Sequence, residues 1–529
     1  MMTVVLRHLA GLLALTSICL CAGSPEDRDY NQPYRPQFHF SPRVNWTNDP
    51  NGLVYFEGEY HIFFQYNPFG DTWGHMSWGH AVSTDLVHWK ELPVAIPESD
   101  GVMIFTGSTV VDRNNTSGFC TGGKPCLVAI YTGHTPESAS GKPLQTQNLA
   151  YSNDRGRTWT KYSGNPVLDL HMSDFRDPKV FWSEQGKHWV MAVSLPDEHK
   201  VRFYSSANLK KWDHLSDFGP EGSAAGQWEC PELFELPVDG HATRTRWVLK
   251  IGLNPGALQG GSGEQYFVGR FDGARFVNDN PPSLQLWTDY GKDCYCALTF
   301  NGLPKTPSPV HPQTQPLPPV QTMIGWMNNW QYAGKLPTSP WRGQMTFPRK
   351  LALHTTDDGL RLIQLPSDAI AKLHRPPLTR IIGTEKEVNK RLAKRDHGDR
   401  MVDLTSTITL GGAHEAGLRL LSGDGGYTLV GYDRERRELF VDRTNSGEDG
   451  FSKEFPARVS APLTLANPAQ LQIRILVDRS SIEVFAEHGR LVMTELVFPK
   501  QNGRRIAVYS EGGRLGGVSL RIWTVASIW

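Results

Sequence analysis

The chain has 529 residues, with 54 Lys and Arg against 54 Asp and Glu, so its formal net charge is zero. A zero charge argues against a protein that binds nucleic acid or an anionic membrane through its overall field, and we expect neither partner. The 16 Trp, 16 Tyr, 23 Phe, 51 Gly and 37 Pro residues favour short strands and tight turns over long helices. Composition therefore predicts an all-β protein, and the length accommodates two large β domains.

The first 23 residues are predicted to be a signal peptide. Arg7 and His8 precede an apolar run over residues 9–22, and small residues stand before Ser24. The run is too short to span a bilayer, which takes about 20 residues. We therefore expect export, to a secreted or periplasmic location.

Strand patterns fill residues 50–350, and one plan recurs in them. Three segments show a short strand, a polar turn headed by Ser, and a closing Trp, at Trp89, Trp159 and Trp212. The spacing is typical of four-stranded propeller blades that carry insertions, and there is room for about five blades. We place this propeller at residues 24–357.

Three acidic residues stand just ahead of a proline at the start of a predicted blade: Asp49, Asp177 and Glu229. The first strand of a blade lines the central channel, so acids at equivalent positions converge at one mouth of it. The alternative is that acid-proline pairs merely begin turns, but three copies in register favour a site. Two carboxylates across a pocket are the minimum for glycoside hydrolysis, and a third can stabilise the transition state or fix substrate hydroxyls.

Residues 304–319, inside the predicted propeller, hold seven prolines and are predicted to form an extended surface loop between strands, with a PxxP ligand as the alternative. The pattern changes after about residue 358. Residues 358–400 are predicted to be a charged, solvated connector, with a short helix over 366–373. From 401 to 529, alternating strands are typical of a β-sandwich with one wet face.

One pair of cysteines is suited to a disulfide, but the sequence leaves open whether the bond forms. Cys120 and Cys126 bracket a turn that a disulfide can close in an oxidising compartment. Cys294 and Cys296 are too close along a strand to bond easily, and Cys230 is expected to be buried and unpaired. The sequence has no pair of CxxC motifs and no HExxH, so we expect no metal and no cofactor.

A set of short motifs resembles glycoside hydrolase family 32, which contains the invertases, exo-inulinases, levanases and fructan β-fructosidases. The motifs are NDPNG at 48–52, QYNP at 65–68, WGHA at 78–81, FTGS at 105–108, FRDP at 175–178, WECP at 228–231, DYGK at 289–292 and DRSSIEVF at 478–485. The resemblance implies a five-bladed β-propeller followed by a β-sandwich, and a retaining mechanism.

The resemblance also implies roles for the three acids. Asp49 is the expected nucleophile, Glu229 the general acid and then the base, and Asp177 the stabiliser of the transition state. Retention requires the first two carboxyl groups to lie about 5–5.5 Å apart. Asp49 must be charged and Glu229 protonated. We expect Arg176 to keep Asp177 ionised, and Cys230 to favour a protonated Glu229.

Further motif positions are expected to contact the sugar through amide, hydroxyl or charged groups, or to wall the pocket with aromatic rings. These positions are Asn48, Gln65, Trp73, Phe105, Thr106, Arg176, Asp289, Lys292 and Trp330. For each, the alternative is channel packing or a turn, and for Trp330 and Lys292 the two interpretations are equally good. Asp478 and Glu483 are expected to be structural or interdomain rather than catalytic.

The resulting hypothesis is a secreted retaining exo-β-fructosidase, with fructan (inulin or levan) or sucrose as substrate. Asp49 directly after Asn48, and residues 326–333, resemble exo-acting members of the family. The alternatives are an invertase or a fructosyltransferase of the same family, or a carbohydrate-binding propeller with weak catalysis. A sialidase is disfavoured: residues 152–159 fit its Asp box, but the acid-proline starts supply neither its three arginines nor its Tyr nucleophile.

Overall fold

The computed structural model describes residues 30–304, 321–394, 401–500 and 505–529. The predicted signal peptide and nearly all of the predicted proline-rich loop lie outside the described residues. No helix in these ranges is long and apolar enough to cross a membrane. Strands dominate, as composition predicts. The short helices are one α-helix, α1 (Glu385–Leu392), and 3-10 turns at Pro196–Glu198, Ala333–Lys335, Asp368–Leu373 and Glu487–Gly489.

The first domain is a five-bladed propeller, and each blade is an antiparallel sheet. Blade 1 comprises β1 (Asn45–Phe56), β2 (Glu59–Asn67), β3 (Ser77–Ser83) and β4 (Lys90–Ile96). Blade 2 comprises β5 (Met103–Asp112), β6 (Cys126–Thr135), β7 (Leu144–Ser152), β8 (Thr160–Lys161) and β9 (Leu168–Met172). Blade 3 comprises β10 (Arg176–Ser183), β11 (His188–Leu195), β12 (Lys200–Ser206) and β13 (Asp213–Phe218).

Blade 4 comprises β14 (Gln227–Val238), β15 (His241–Asn254), β16 (Gly263–Phe271) and β17 (Phe276–Asn278). Blade 5 comprises β18 (Tyr295–Thr299), β19 (Thr322–Trp326), β21 (Arg349–Thr356) and β22 (Gly359–Pro366). The short strand β20 (Trp341–Arg342) pairs in parallel with β1 and so joins the last segment of the propeller to the first blade. The inner strands β1, β5, β10, β14 and β18 pack around the channel.

The recurring Ser-to-Trp pattern is a blade turn. In the first copy the Ser83 hydroxyl accepts a hydrogen bond from the Asp85 amide at 3.1 Å, and the indole N–H of Trp89 donates to the Leu86 carbonyl at 3.1 Å. In the other two copies the Trp donates to the carbonyl three residues earlier, at Gly156 and Leu209. The residue that accepts has a positive φ each time, so the three turns share one backbone shape.

The second domain is a β-sandwich of two antiparallel sheets. One sheet has the order β23 (His374–Gly383), β33 (Gly517–Val525), β24 (Val402–Thr409), β29 (Gln470–Val477), β30 (Ser481–Ala486) and β31 (Leu491–Leu496). The other has the order β28 (Arg458–Pro462), β27 (Glu438–Asp442), β26 (Gly426–Asp433), β25 (Glu415–Gly423) and β32 (Arg505–Glu511). Their inner faces form a continuous apolar core, which α1 covers at one side.

The predicted connector over residues 358–400 is divided between the two domains. β22 pairs along its whole length with β21 and completes blade 5, while β23 pairs with β33 in the sandwich. Between them lies the short helix predicted near residues 366–373, here a 3-10 helix at Asp368–Leu373. The charge that suggested a connector lies partly on the exposed face of α1, whose Val388 and Leu392 are buried. High charge density therefore marked a helix face rather than a linker.

The cysteines differ from the prediction at one position. Cys120 and Cys126 form the disulfide that the sequence left open. Cys230, predicted to be unpaired, forms a second disulfide with Cys296, and Cys294 is the buried free cysteine. Cys230 and Cys296 are far apart in sequence, but the neighbouring inner strands β14 and β18 bring their Cα atoms to 5.4 Å.

Buried ion pairs join the two domains. Arg349 of β21 donates to Asp289 at 2.9 Å and also to Glu483 of the sandwich. Glu483 further accepts from His39 Nε2 at 2.8 Å, and Asp478 accepts from His39 Nδ1 at 2.8 Å. These two acids hold the pKa of His39 near 9, despite its burial, so the imidazole is charged at neutral pH. Asp478 and Glu483 are interdomain residues, as the sequence predicts.

Replacing Arg349 should destabilise the protein strongly. Arg349→Met leaves the buried Asp289 and Glu483 carboxylates without their shared cation, and removal of one partner from a buried ion pair costs about 3–5 kcal/mol. Chemical denaturation measures the loss. Lys187→Met, in an exposed pair with Glu184, is the control and should change stability little. Equal unfolding midpoints for the two variants would contradict this assignment.

Candidate active site

A pocket of about 370 Å³ opens at one mouth of the propeller channel. All of the sequence-predicted site residues line it except Asp289 and Lys292. It also contains five residues that the sequence did not single out, namely His134, Gln145, Asp174, Asn254 and Tyr295. The three predicted acids thus converge in one pocket, as their position at the start of inner strands implies.

Every inner strand departs from regular pairing where it meets the pocket. The register shifts lie between Thr47 and Pro50 in β1, Ile104 and Gly107 in β5, Arg176 and Lys179 in β10, Glu229 and Glu232 in β14, and Tyr295 and Leu298 in β18. Asp177, Cys230 and Cys296 lie in these shifts with φ of 67°, 48° and 45°. Such bulges redirect side chains. A non-glycine residue with a positive φ carries about 1–3 kcal/mol of backbone strain.

Asp49 is held at the bulge of β1 with one oxygen engaged. Its Oδ2 accepts a hydrogen bond from the Thr106 hydroxyl at 2.6 Å, and its Oδ1 is buried and makes no hydrogen bond with the described residues. Burial raises the pKa of Asp49 to about 6, and the negative charge of Glu229 adds to the rise while the Thr106 hydrogen bond opposes it. The carboxylate is therefore oriented but poorly solvated.

Glu229 is held by two donors. Its Oε1 accepts from Arg176 Nε at 3.0 Å, and its Oε2 accepts from the Tyr295 hydroxyl. The sequence missed Tyr295 because blade 5 begins without the acid-proline signal, although the tyrosine heads its inner strand as the acids head theirs. The expected influence of Cys230 on Glu229 stays a prediction; the Cys230 sulfur lies 3.9 Å from Asp49 Oδ2.

Asp177 is the most shielded of the three acids. Its Oδ2 accepts from the Cys230 amide at 2.9 Å. Burial raises its pKa to about 7, with a contribution from the negative charges of Glu229 and Asp49, although the positive charge of Arg176 opposes the rise. The expectation that Arg176 keeps Asp177 ionised is therefore met only in part. The Arg176 guanidinium donates hydrogen bonds to Glu229 and to Asp174, at 3.0 and 2.6 Å.

Aromatic rings form the wall of the pocket. Trp330 stacks on Trp46, with ring centroids 5.9 Å apart, and Trp73 meets Phe105 edge to face at 6.1 Å. Trp73 is 47% exposed, so its ring lies at the rim. Asn48 is fixed by the Trp46 indole, which donates to its Oδ1 at 2.8 Å. Apolar ring faces beside fixed polar groups are suited to a sugar, which presents both kinds of surface.

Two predicted site residues, Asp289 and Lys292, lie at the interface between the domains rather than in the pocket. Asp289 accepts from Arg349 and from the Thr494 hydroxyl of β31, at 2.9 and 2.6 Å. Lys292 Nζ donates to the Glu454 carbonyl of the sandwich at 2.9 Å. The segment between β17 and β18 faces the second domain, and a shared motif does not reveal which face of a blade it occupies.

Comparison with known proteins agrees with this architecture. The family models described as "Glycosyl hydrolases family 32 N-terminal domain" and "Glycosyl hydrolases family 32 C terminal" match residues 39–366 and 371–524. These bounds coincide with the propeller and the sandwich as the structure divides them.

Individual relatives match over nearly the whole chain. A levanase of Bacillus subtilis is 44% identical over 97% of this chain and 74% of its own length. An extracellular exo-inulinase of Aspergillus niger is 42% identical over 98% of this chain and all of its own. The crystal structure of exo-inulinase from Aspergillus awamori has a TM-score of 0.84 at 38% identity, covering 95% of this chain and all of that one. The chain belongs to family 32 of the glycosyl hydrolases.

Proposed function

We propose that the protein is a retaining exo-β-fructosidase that releases terminal fructose from inulin, levan and sucrose. The observation that carries the proposal is that Asp49 and Glu229 line one pocket, and that Asp49 Oδ1 is buried there without a hydrogen-bond partner among the described residues. The names of the relatives, levanase and exo-inulinase, support the substrate class. The pair of carboxyl groups supports the reaction class.

The mechanism assigns each acid a step. Asp49 Oδ1 attacks the anomeric carbon of the terminal fructosyl unit while Glu229 gives its proton to the leaving oxygen, which forms a covalent fructosyl-enzyme. Glu229 then takes a proton from a water molecule while the water oxygen attacks the same carbon. The bond to Asp49 breaks, and fructose leaves with its configuration retained. The Thr106 hydroxyl holds the other oxygen of Asp49 by a hydrogen bond. Arg176 and Tyr295 each donate to one oxygen of Glu229 and so hold its carboxyl group in place. Little reorganisation is needed between the steps.

Asp177 is proposed to stabilise the transition state. It reaches the same pocket from β10, and its Oδ2 is fixed by the Cys230 amide. A carboxylate in this place can accept hydrogen bonds from two fructose hydroxyls and balance positive charge on the oxocarbenium-like ring. Burial, together with the negative charges of Glu229 and Asp49, raises the pKa of this acid, and the hydroxyls of a bound sugar can donate to it and favour its charged form.

The closed channel supports exo-action. Beneath the acids, the buried Lys179 and Glu232 pair at 2.6 Å, and Thr299 donates to Glu232, so polar side chains fill the channel. The space left there is only about 10 Å³. A chain end can enter such a pocket, whereas the middle of a polymer cannot pass through it. Export is proposed with this function, since a polymer is digested outside the cell and the Aspergillus relatives are named extracellular.

Product analysis tests the function. Purified protein is incubated with inulin, levan and sucrose, and the products are followed by chromatography from the first minutes. Fructose as the sole early product from the polymers is expected, because only a terminal unit fits the pocket. A ladder of oligosaccharides would indicate endo-cleavage or transfer. No product from any of the three would favour a binding protein.

Substitution of the two reacting acids should abolish turnover. Asp49→Asn and Glu229→Gln keep the shape of the pocket and remove the nucleophile and the proton donor, so kcat should fall by about three orders of magnitude or more. The matched carboxyl-to-amide control is Asp217→Asn, on the outer strand β13, which should keep wild-type activity. Turnover of either site variant within about tenfold of wild type would show that its role is misassigned.

The pH profile reports the ionisation of Asp49. Since a nucleophile must be charged, activity should fall as the pH drops through about 6, the raised pKa of this acid. Thr106→Val removes the donor that favours the charged form, so the acid limb of kcat/KM should move up by about one pH unit. Ser108→Ala removes a hydroxyl two residues along the same strand, which bonds the Pro178 carbonyl, and should leave the limb unchanged. A limb that does not move in Thr106→Val would assign it to another group.

A further inference from the structure

A disulfide lies next to Asp49, one of the residues that line the pocket. Cys230 of β14 and Cys296 of β18 are both buried, with 2% and 0% exposure, and they join the inner strands of blades 4 and 5. Both lie at the register shifts that turn side chains into the pocket, with φ of 48° and 45°. A covalent bond therefore fixes the two bulges relative to each other.

The chain neighbours of this disulfide are the proton donor and its partner. Glu229 directly precedes Cys230, and Tyr295 directly precedes Cys296, and the Tyr295 hydroxyl donates to Glu229. The amide of Cys230 also donates to Asp177 at 2.9 Å. The distance between the two cysteines thus sets the distance between the two residues that share the hydrogen bond.

The disulfide also touches the nucleophile. Cys230 Sγ lies 3.9 Å from Asp49 Oδ2, and this oxygen and both sulfur atoms lie within 4.8 Å of one another. A disulfide sulfur carries no hydrogen, so it offers Asp49 contact without a hydrogen bond. The Thr106 hydroxyl donates to this oxygen at 2.6 Å.

We propose that the Cys230–Cys296 disulfide is a positioning element of the active site, which sets the geometry of the Glu229–Tyr295 pair and withholds a proton donor from Asp49. The inference rests on the proposed function. It predicts that turnover depends on the oxidised state of this one disulfide. With a dithiol reductant, the S–S bond breaks, two S–H groups form, and the reductant is oxidised to its cyclic disulfide.

Loss of the bond has two separable effects. Without the cross-link, the Glu229–Tyr295 pair loses its fixed spacing, which lowers kcat more than it raises KM. A free thiol at Cys230 can donate a weak hydrogen bond to Asp49, which favours the charged form and moves the acid limb to lower pH. The charged and titratable groups that face Asp49 across the pocket stay the same in both states: Asp177, Glu229, Arg176, Asp174, His134 and Tyr295.

Two variants separate these effects. Cys296→Ala breaks the cross-link and leaves the Cys230 thiol beside Asp49, whereas Cys230→Ala with Cys296→Ala leaves no thiol there. Both should lower kcat on sucrose by about tenfold, with KM within about threefold of wild type. The acid limb of Cys296→Ala should lie about half a pH unit below that of the double variant. Circular dichroism and thermal unfolding confirm that each variant is folded.

The other disulfide supplies the control. Cys120 and Cys126 bond near the end of β5 that is remote from Thr106, so Cys120→Ala with Cys126→Ala removes a cross-link without touching the pocket. This variant should keep the kcat and the pH profile of the wild type. A loss of kcat as large as that of the first pair would show that any lost cross-link has this effect, and would overturn the proposal.

Two further results would also overturn it. One is a kcat of Cys296→Ala within twofold of wild type with an unchanged acid limb, even where the double variant fails to fold. The other is a peptide map of the unreduced protein in which Cys296 is a free thiol. Wild-type protein that releases no fructose from sucrose, inulin or levan contradicts the proposed function, and the inference fails with it. An active wild type with unchanged variants contradicts the inference alone.

Discussion

The active site depends on a break in regular strand pairing that occurs at the same level in all five inner strands. A regular strand points alternate side chains into the blade and its neighbours, so none of these strands could aim a polar group along the channel axis without a bulge. The breaks turn Asp49, Asp177 and Glu229 into one pocket. The packing of the blades compensates for the backbone strain at these breaks, and in blades 4 and 5 the Cys230–Cys296 disulfide adds a covalent bond.

The same geometry determines the electrostatics. Four carboxyl groups line one pocket with a single guanidinium, Arg176, whose positive charge is divided between Glu229, Asp174 and Asp177. Burial and mutual repulsion therefore raise the pKa of Asp49 and of Asp177. The interface between the two domains resolves a similar crowding differently: the buried Arg349 pairs with both Asp289 and Glu483, and with His39 it lowers the pKa of Glu483 despite burial.

Repetition made the propeller and its three acids predictable from the sequence, whereas several contacts that occur once were missed. The blade turns share a hydrogen-bonding pattern, and the acids share a position, so each copy supports the others. Tyr295 was missed because the inner strand of blade 5 begins without the acid that marks blades 3 and 4. The Cys230–Cys296 disulfide was missed because nothing in the sequence shows that the inner strands of blades 4 and 5 are neighbours. Asp289 and Lys292 were misplaced because a motif gives residue types and order, whereas the face that they occupy depends on the docking of the second domain.

The Lys179–Glu232 pair fills the channel and thereby affects how the protein degrades a polymer. The pocket has one opening, so the sugar released in each cycle must leave by the route through which the next chain end enters. The shortened polymer has to withdraw before that exchange takes place, since the product lies beneath it. Degradation is consequently distributive: many chains shorten together by single units, and accumulating monosaccharide competes with the polymer for the same entrance.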